Sequence, residues 1–349
     1  MSTYSRYIYS SVCSDLEHRK MVFIGGPRQV GKTTFALSLL EKRKNIKSIE
    51  QHPGYLNWDY PLSREKILKN EFPLEEELVI FDEIHKYSRW RNLVKGLYDV
   101  HKALIKFMVT GSARLDYYRK GGDSLLGRYH YYRLHPLTVH EYDGPVKDLL
   151  EYGGFPEPLF RKEKNFSRRW HRERIQKCIY EDLLNLEKVK EASSLDQLLE
   201  LLPLKVGSPL SIKSLSEDLS LAHETVERYV KILERLYLVY RIAPYGPPKT
   251  KAVKKEKKLY LWDWSQISSG GARLENMVAG HLLKYCHFIE DVSGHEMELR
   301  FLRDVEGREI DFVVLKNKKA IFAVECKTGE KSISPHIHYF QQRSAIPLF

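Results

Sequence analysis

Apolar residues fall along this chain in short runs that end on small or polar residues, with helical spacing between them. Met21, Val22, Phe23 and Ile24 form the first run, and residues 78–81 form a second that closes on Asp82 and Glu83. A third covers 105–109 before Thr110, Gly111 and Ser112, and a fourth, 129–134, follows Leu125-Leu126-Gly127-Arg128. β-rich runs alternating with helical stretches predict a parallel sheet covered by helices, and such sheets bind ligands at the carboxyl ends of their strands. Gly26, Asp82 and Ser112 all fall at such ends.

The pattern changes after about residue 150. Residues 211–219 and 223–236 have a helical period, with Val226, Tyr229, Val230, Leu233 and Leu236 on one face, and a strand follows at 238–242. A helix is expected to open at 271, then strands over 309–315 and 320–327 joined by a turn at 316–319, and a helix-like stretch at 336–342. The expected fold is α/β, in three parts: 1–145, 146–265 and 266–349.

Composition narrows the setting. A chain of 349 residues, 42% apolar, accommodates two to three domains and a sizeable core. Cys13, Cys178, Cys286 and Cys326 are far apart and form no C-x-x-C, which argues against a disulfide framework or zinc knuckle and for a reducing compartment. No apolar run reaches the length of a bilayer span, so a soluble, cytoplasmic protein without a membrane partner is expected. The net charge of +11 makes DNA the first candidate partner, because a basic surface attracts polyanions. A solvated basic surface with no specific partner accounts for the charge equally well.

The chemistry is concentrated in residues 25–34. From Gly26 to Thr33 the spacing is G-x-x-x-x-G-K-[ST], placed after a strand and before a helix, which is the layout of a phosphate-binding loop. The expected nucleotide cradle is Gly26, Pro27, Arg28, Gln29, Val30, Gly31, Lys32, Thr33 and Thr34. Its glycines admit backbone N–H groups to the phosphates, Lys32 sets a cation between the β- and γ-phosphates, and Thr33 offers a hydroxyl to Mg²⁺. Asp82 is expected to hold the Mg²⁺ shell and Glu83 to polarise the attacking water, the reason for two adjacent acids at one strand end. Ser112 is placed to meet the γ-phosphate or the water. Arg128, just before a strand, suits a finger reaching a neighbouring subunit's γ-phosphate in a homo-oligomer; pairing with a local acid explains it as well.

With these motifs in order, the chain resembles archaeal and bacterial AAA+ ATPases with a C-terminal nuclease-like domain of unknown function. The resemblance rests on G-P-R-Q-V-G-K-T-T, D-E-I-H-K with Trp90 and Leu97, V-T-G-S, L-L-G-R, P-L-T-x-x-E-Y and G-G-F-P-E. It implies ATP as the nucleotide, with Mg²⁺. The Gly153-Gly154-Phe155-Pro156 turn resembles a segment that packs against adenine in related ATPases, though a plain linking turn fits Pro156 equally. Thr138 and Glu141 have the spacing of a helix N-cap box.

The middle segment resembles a winged helix-turn-helix. Arg228, Lys231 and Arg235 on its second helix and Lys249, Lys251, Lys254, Lys255, Lys257 and Lys258 beyond it are candidates for phosphate contacts, although Glu224, Glu227 and Glu234 share that helix. A packing module of the ATPase is the rival reading. In the last part, alternation places Glu325 and Lys327 on one strand face, so Asp311 and Glu325 can meet on one divalent ion with Lys327 beside the attacking water and Glu275 approaching from the helix. This set resembles the PD-(D/E)xK nuclease core; a retained core that only binds DNA or protein remains open. The expected activity is Mg²⁺-dependent ATP hydrolysis coupled to work on DNA, with a nucleotide switch acting through protein contacts and an ATP-gated nuclease as alternatives.

Overall fold

The first apolar run becomes a strand buried on both faces, as the middle of a parallel sheet requires. In the computed structural model, which describes residues 5–40, 48–71, 73–111, 125–179, 192–245, 256–304, 306, 308–329 and 346–349, the chain divides into two units, Met1–Asp143 and Gly144–Phe349. The first unit runs α1 (Tyr9–Glu17), β1 (Met21–Gly25), α2 (Lys32–Leu37), β2 (Tyr55–Asn57), α3 (Pro61–Lys69), β3 (Leu78–Asp82), α4 (Trp90–His101), β4 (Lys106–Thr110) and β5 (Tyr129–Arg133). Its sheet is parallel throughout, in the order β2-β3-β4-β1-β5.

All four strands expected in this unit form, and β2 joins them. Three residues are too few to carry a period-2 signal, which is why the sequence pattern missed it. The order inserts β4 between the strand that leads into the glycine loop and the strand that ends in acid. Register then aligns Ile24 with Thr110, Thr110 with Asp82, and Asp82 with Asn57 in one row across the strand ends. Residues in one row of a parallel sheet project to the same face, so this row and Tyr55, two residues before Asn57, share a side. Beneath it, Phe23, Phe81, Trp90, Val94 and Phe107 are buried in one core, with the rings of Phe81 and Phe107 stacked at 6.1 Å.

The second unit opens with α5 (Val146–Tyr152), α6 (Pro156–Arg161), α7 (Lys164–Lys177), α8 (Ala192–Leu201), α9 (Ile212–Leu219) and α10 (His223–Arg235). The strands β6 (Val239–Pro244) and β7 (Lys258–Leu261) follow, then α11 (Gly270–Ser293), β8 (Met297–Arg303), β9 (Glu309–Lys316) and β10 (Lys319–Val324). Helix α10 buries Val226, Tyr229, Val230 and Leu233, and Leu236 just past its end is buried with them, the face the spacing predicts. Strands from both sides of residue 265 make one sheet, β10-β9-β8-β6-β7, because β6 pairs antiparallel with β7 and parallel with β8. The β9–β10 hairpin turns through Asn317 and Lys318, both at positive φ, as a two-residue type I′ turn demands.

An aspartate ties this unit together at the exit of β7. Asp263 is buried and accepts from the Ser265 amide at 3.2 Å and the Ser265 hydroxyl at 2.7 Å, while His171 Nδ1 lies 2.9 Å from its other oxygen. Burial alone would push this carboxyl up; the His171 ring, Arg174 and Ser265 together hold it down at about 2. The close approach requires glycine at 153, since a Cβ there would stand 2.6 Å from Asp263 Oδ1.

Two expectations change on contact with the structure. Thr138 and Glu141 form a turn and no helix start: Glu141 is drawn inward to accept from the Arg6 guanidinium at 2.8 Å. Strand β10 stops at Val324, so Glu325 and Lys327 lie just beyond it. The helix-like stretch at 336–342 falls outside the described residues. All four cysteines are free thiols. Among the described residues, no helix is long and apolar enough to cross a membrane.

Candidate nucleotide site and C-terminal acid cluster

The loop after β1 turns on backbone conformations that side chains resist. Gly26 has φ +135° and a Cβ on it would lie 2.4 Å from the Leu134 carbonyl; Gly31, at φ +96°, precedes α2. Gln29 also sits at positive φ and is exposed, as is Thr34, while Pro27 and Val30 are buried and Arg28 is half-buried. Lys32, 8% exposed, folds back over the loop and donates to the carbonyls of Gly26 at 3.0 Å and Pro27 at 2.6 Å. An ammonium held at the loop's own rim is in place to meet a phosphate there.

Asp82 is the hub of the strand-end row. The Thr33 hydroxyl donates to its Oδ2 at 2.8 Å, the Tyr55 hydroxyl donates to the same oxygen at 2.7 Å, and Thr110 donates to Oδ1. Asn57 donates to the Tyr55 hydroxyl at 3.3 Å. A carboxylate and a threonine hydroxyl adjoining each other at a phosphate loop are hard oxygen donors of the kind Mg²⁺ takes, and the set fits that ion. Tyr55 and Thr110 were not assigned roles from the sequence. The signal for Thr110 was the polar close of its strand, whereas Tyr55 sits on a strand too short to read.

Glu83 follows in a left-handed conformation, φ +58°, with its amide donating to the Thr110 carbonyl at 3.0 Å. Strain of this kind aims a side chain that ordinary geometry would not. Burial pushes its carboxyl above the usual range, against the opposing pull of Lys32 and Lys86. Its Oε2 accepts no hydrogen bond among the described residues and stands 3.6 Å from both His85 Nε2 and Lys86 Nζ. A desolvated carboxylate beside Asp82, its basicity raised by burial, is suited to accept a proton from water.

Lys32, Thr33, Asp82 and Glu83 are thus brought together. Ser112 lies outside the described residues. Arg128 is elsewhere: its carbonyl accepts from the Met21 amide at 3.0 Å, at the amino end of β1, and its side chain pairs with Asp99 at 2.8 Å. The length of β1, at about 3.3 Å per residue, separates it from the loop of its own subunit. Pro156 opens α6 in the second unit, a common place for proline.

In the second unit the α10 cations are engaged. Lys231 lies 3.4 Å from Glu227, and the Arg228 guanidinium sits 5.5 Å from the Tyr229 ring centre. Glu227 and Glu234 clamp Arg241 of β6, at 3.1 and 2.8 Å. Lys258, expected among phosphate-contacting lysines, is instead 1% exposed inside β7. The apolar runs on either side of it form the sheet, and the lysine is carried inward with them. Lys257 beside it is exposed, and Lys249, Lys251, Lys254 and Lys255 lie outside the described residues.

Glu275, Asp311, Glu325 and Lys327 do converge. Asp311 Oδ2 accepts from the Cys326 amide at 2.8 Å, Glu325 Oε2 lies 3.4 Å from the Asp311 amide, and Lys327 donates to Glu325 Oε1 at 2.7 Å. Tyr260 donates to Glu275 at 2.8 Å, and Lys258 pairs with Glu309, with Glu275 at 3.5 Å and Asp311 at 3.9 Å. Burial, reinforced by the Glu275 and Glu325 charges, pushes Asp311 up to about 7. Among the described residues, no group of three or more His, Cys, Asp and Glu side chains has the arrangement of a metal site.

Comparison with known proteins agrees with the geometry of the first unit. Residues 18–143 match the model of an AAA domain, which supports a P-loop ATPase family for this part of the chain. Residues 145–268 and 270–347 match two domains of unknown function, DUF8612 and DUF4143. Uncharacterized proteins are similar at low identity: one from Mycobacterium tuberculosis is 24% identical over 71% of this chain and 55% of its own length. Another, from Haemophilus influenzae, is 23% identical over 86% of this chain and 80% of its own length. A third, from Methanocaldococcus jannaschii, is 22% identical over 93% and 78%. The chain therefore spans little more than half the length of the mycobacterial relative.

Proposed function

We propose that this protein is a Mg²⁺-dependent ATPase that couples ATP hydrolysis to work on DNA. The observation that carries hydrolysis is the joining of Lys32, Thr33, Asp82 and Glu83 at the carboxyl ends of β1 and β3. Mg²⁺, when bound, neutralises charge on the transferring phosphate. The chain's own groups supply the rest: Lys32 holds the phosphates, Asp82 and Thr33 offer oxygens to the ion, and Glu83 orients water and takes its proton. The net charge of +11 supports a polyanionic partner.

Arg128 completes the account only between subunits. Its distance from its own loop supports a finger offered to a neighbour, so mixing Arg128→Ala with Lys32→Ala protein should restore some of the turnover each lacks. A second reading, a nucleotide switch working through protein contacts, draws support from the pairing of Lys231 with Glu227 and the packing of Arg228 on Tyr229. The two separate by ATPase rate with single-stranded, duplex and branched DNA at low salt. Stimulation that fades steeply with salt supports the DNA reading, because phosphate contacts release counterions; an unchanged rate supports the switch. An ATP-gated nuclease built on Glu275, Asp311, Glu325 and Lys327 draws support from their convergence, and it requires metal-dependent cleavage that Asp311→Ala abolishes.

A further inference from the structure

Four carboxylates, those of Glu275, Glu309, Asp311 and Glu325, meet at the junction of α11, β9 and the end of β10, and each is partly open to solvent: their side chains are 19%, 27%, 16% and 11% exposed. Beneath them lies a different kind of group. Lys258 is 1% exposed, enters from the first position of β7 and turns its ammonium towards Glu309, Glu275 and Asp311. Its ammonium also lies over the Phe301 ring, with Nζ 5.4 Å from the ring centre. Burying an ammonium is costly unless carboxylates surround it, and here the three nearest keep it charged above its ordinary range despite the burial. Lys327 has a separate task, bound to Glu325 at the more exposed rim.

We propose that Lys258 is the resident cation of this acid cluster and that it competes with a divalent ion for the same carboxylates. The proposal deepens the nuclease reading at the same site but rests on the ammonium's placement, not on cleavage. An ion attracted to Glu275 and Asp311 must approach a fixed positive charge already 3.5 and 3.9 Å from their oxygens. Like charges at such separations repel strongly where water is largely excluded. The cluster therefore stays assembled without metal, and divalent binding there requires the lysine to give way.

The test is Mn²⁺ binding to the full chain, followed by electron paramagnetic resonance without nucleotide, in an Asp82→Asn background that weakens the phosphate-loop site. Adding Lys258→Met should tighten binding by roughly a hundredfold, the order expected for removing one charge at this range. Further addition of Asp311→Asn should abolish the gain, and Lys258→Arg should behave as the parent. Should the methionine variant fail to fold, Lys258→Gln, which keeps a donor for Glu309, carries the same expectation. Equal or weaker Mn²⁺ binding without the ammonium would overturn the proposal, making Lys258 a support for the metal site. Tighter binding without DNA cleavage upholds it while removing the nuclease reading.

Discussion

Arg6 offers the sharpest test of how the segment before β1 holds the nucleotide site. Its guanidinium, 8% exposed, donates to Glu141 at 2.8 Å, to the Val30 carbonyl inside the phosphate loop at 3.0 Å, and to the His135 carbonyl beyond β5. The Glu141 side chain is only 1% exposed. Arg6→Met leaves that carboxylate with longer contacts, among them the Tyr7 amide at 3.2 Å and the Thr138 hydroxyl at 3.4 Å. Breaking one side of a buried pair costs about 3–5 kcal/mol. Glu141→Gln alone should cost about 2 kcal/mol, the range of a hydrogen bond to a charged group. Together the two changes should cost less than their sum by about 2 kcal/mol, because the second removes the charge that the first strands. Urea titration read by release of a fluorescent ATP analogue follows this unit alone. A loss below about 1 kcal/mol for Arg6→Met, or strict additivity, would refute the reasoning.

Two further outcomes follow from the geometry. Tyr55→Phe removes a donor that steadies Asp82, so the Mg²⁺ concentration giving half-maximal hydrolysis should rise about tenfold, as for other residues that orient a metal ligand; an unchanged Mg²⁺ titration would exclude Tyr55 from that role. Asp263 titrates at about 2 when folded, against its ordinary 3.8. A depressed carboxyl contributes stability that is full above the unfolded value and lost as pH falls through the folded one, so Asp263→Asn should cost about 2 kcal/mol at pH 7 and the gap to the parent should close between about pH 4 and 2. A gap of the same size at both ends of that range would contradict the assignment.

What the sequence carries here depends on how local each signal is. The phosphate loop is legible because every constraint in it, from the φ of Gly26 to the hydroxyl of Thr33, falls within a few consecutive residues. The adjacent acids Asp82 and Glu83 are legible for the same reason. Their partners are not: Tyr55 and Thr110 reach Asp82 only through strand order and register, which join positions far apart in the chain. Thr138 and Glu141 mislead because local spacing favours a helix cap, whereas a distant arginine claims the carboxylate. Lys258 misleads in the opposite sense. Among neighbouring lysines it reads as a surface cation, yet the strand that begins on it carries its side chain inward to the acids of α11 and β9.

The central claim is that the residues at the ends of β1 and β3 hydrolyse a nucleotide, and paired turnover and binding measurements on Glu83→Gln test it most directly. Loss of the proton acceptor should lower ATP turnover by roughly a hundredfold or more while leaving Mg·ATP affinity close to that of the parent. Lys32→Ala, measured alongside, should weaken binding itself, since the proposed role of Lys32 is to hold the phosphates before any chemistry. If Glu83→Gln turns over ATP at the parental rate, Glu83 does not handle the water and the assignment of this site as a hydrolytic centre is wrong.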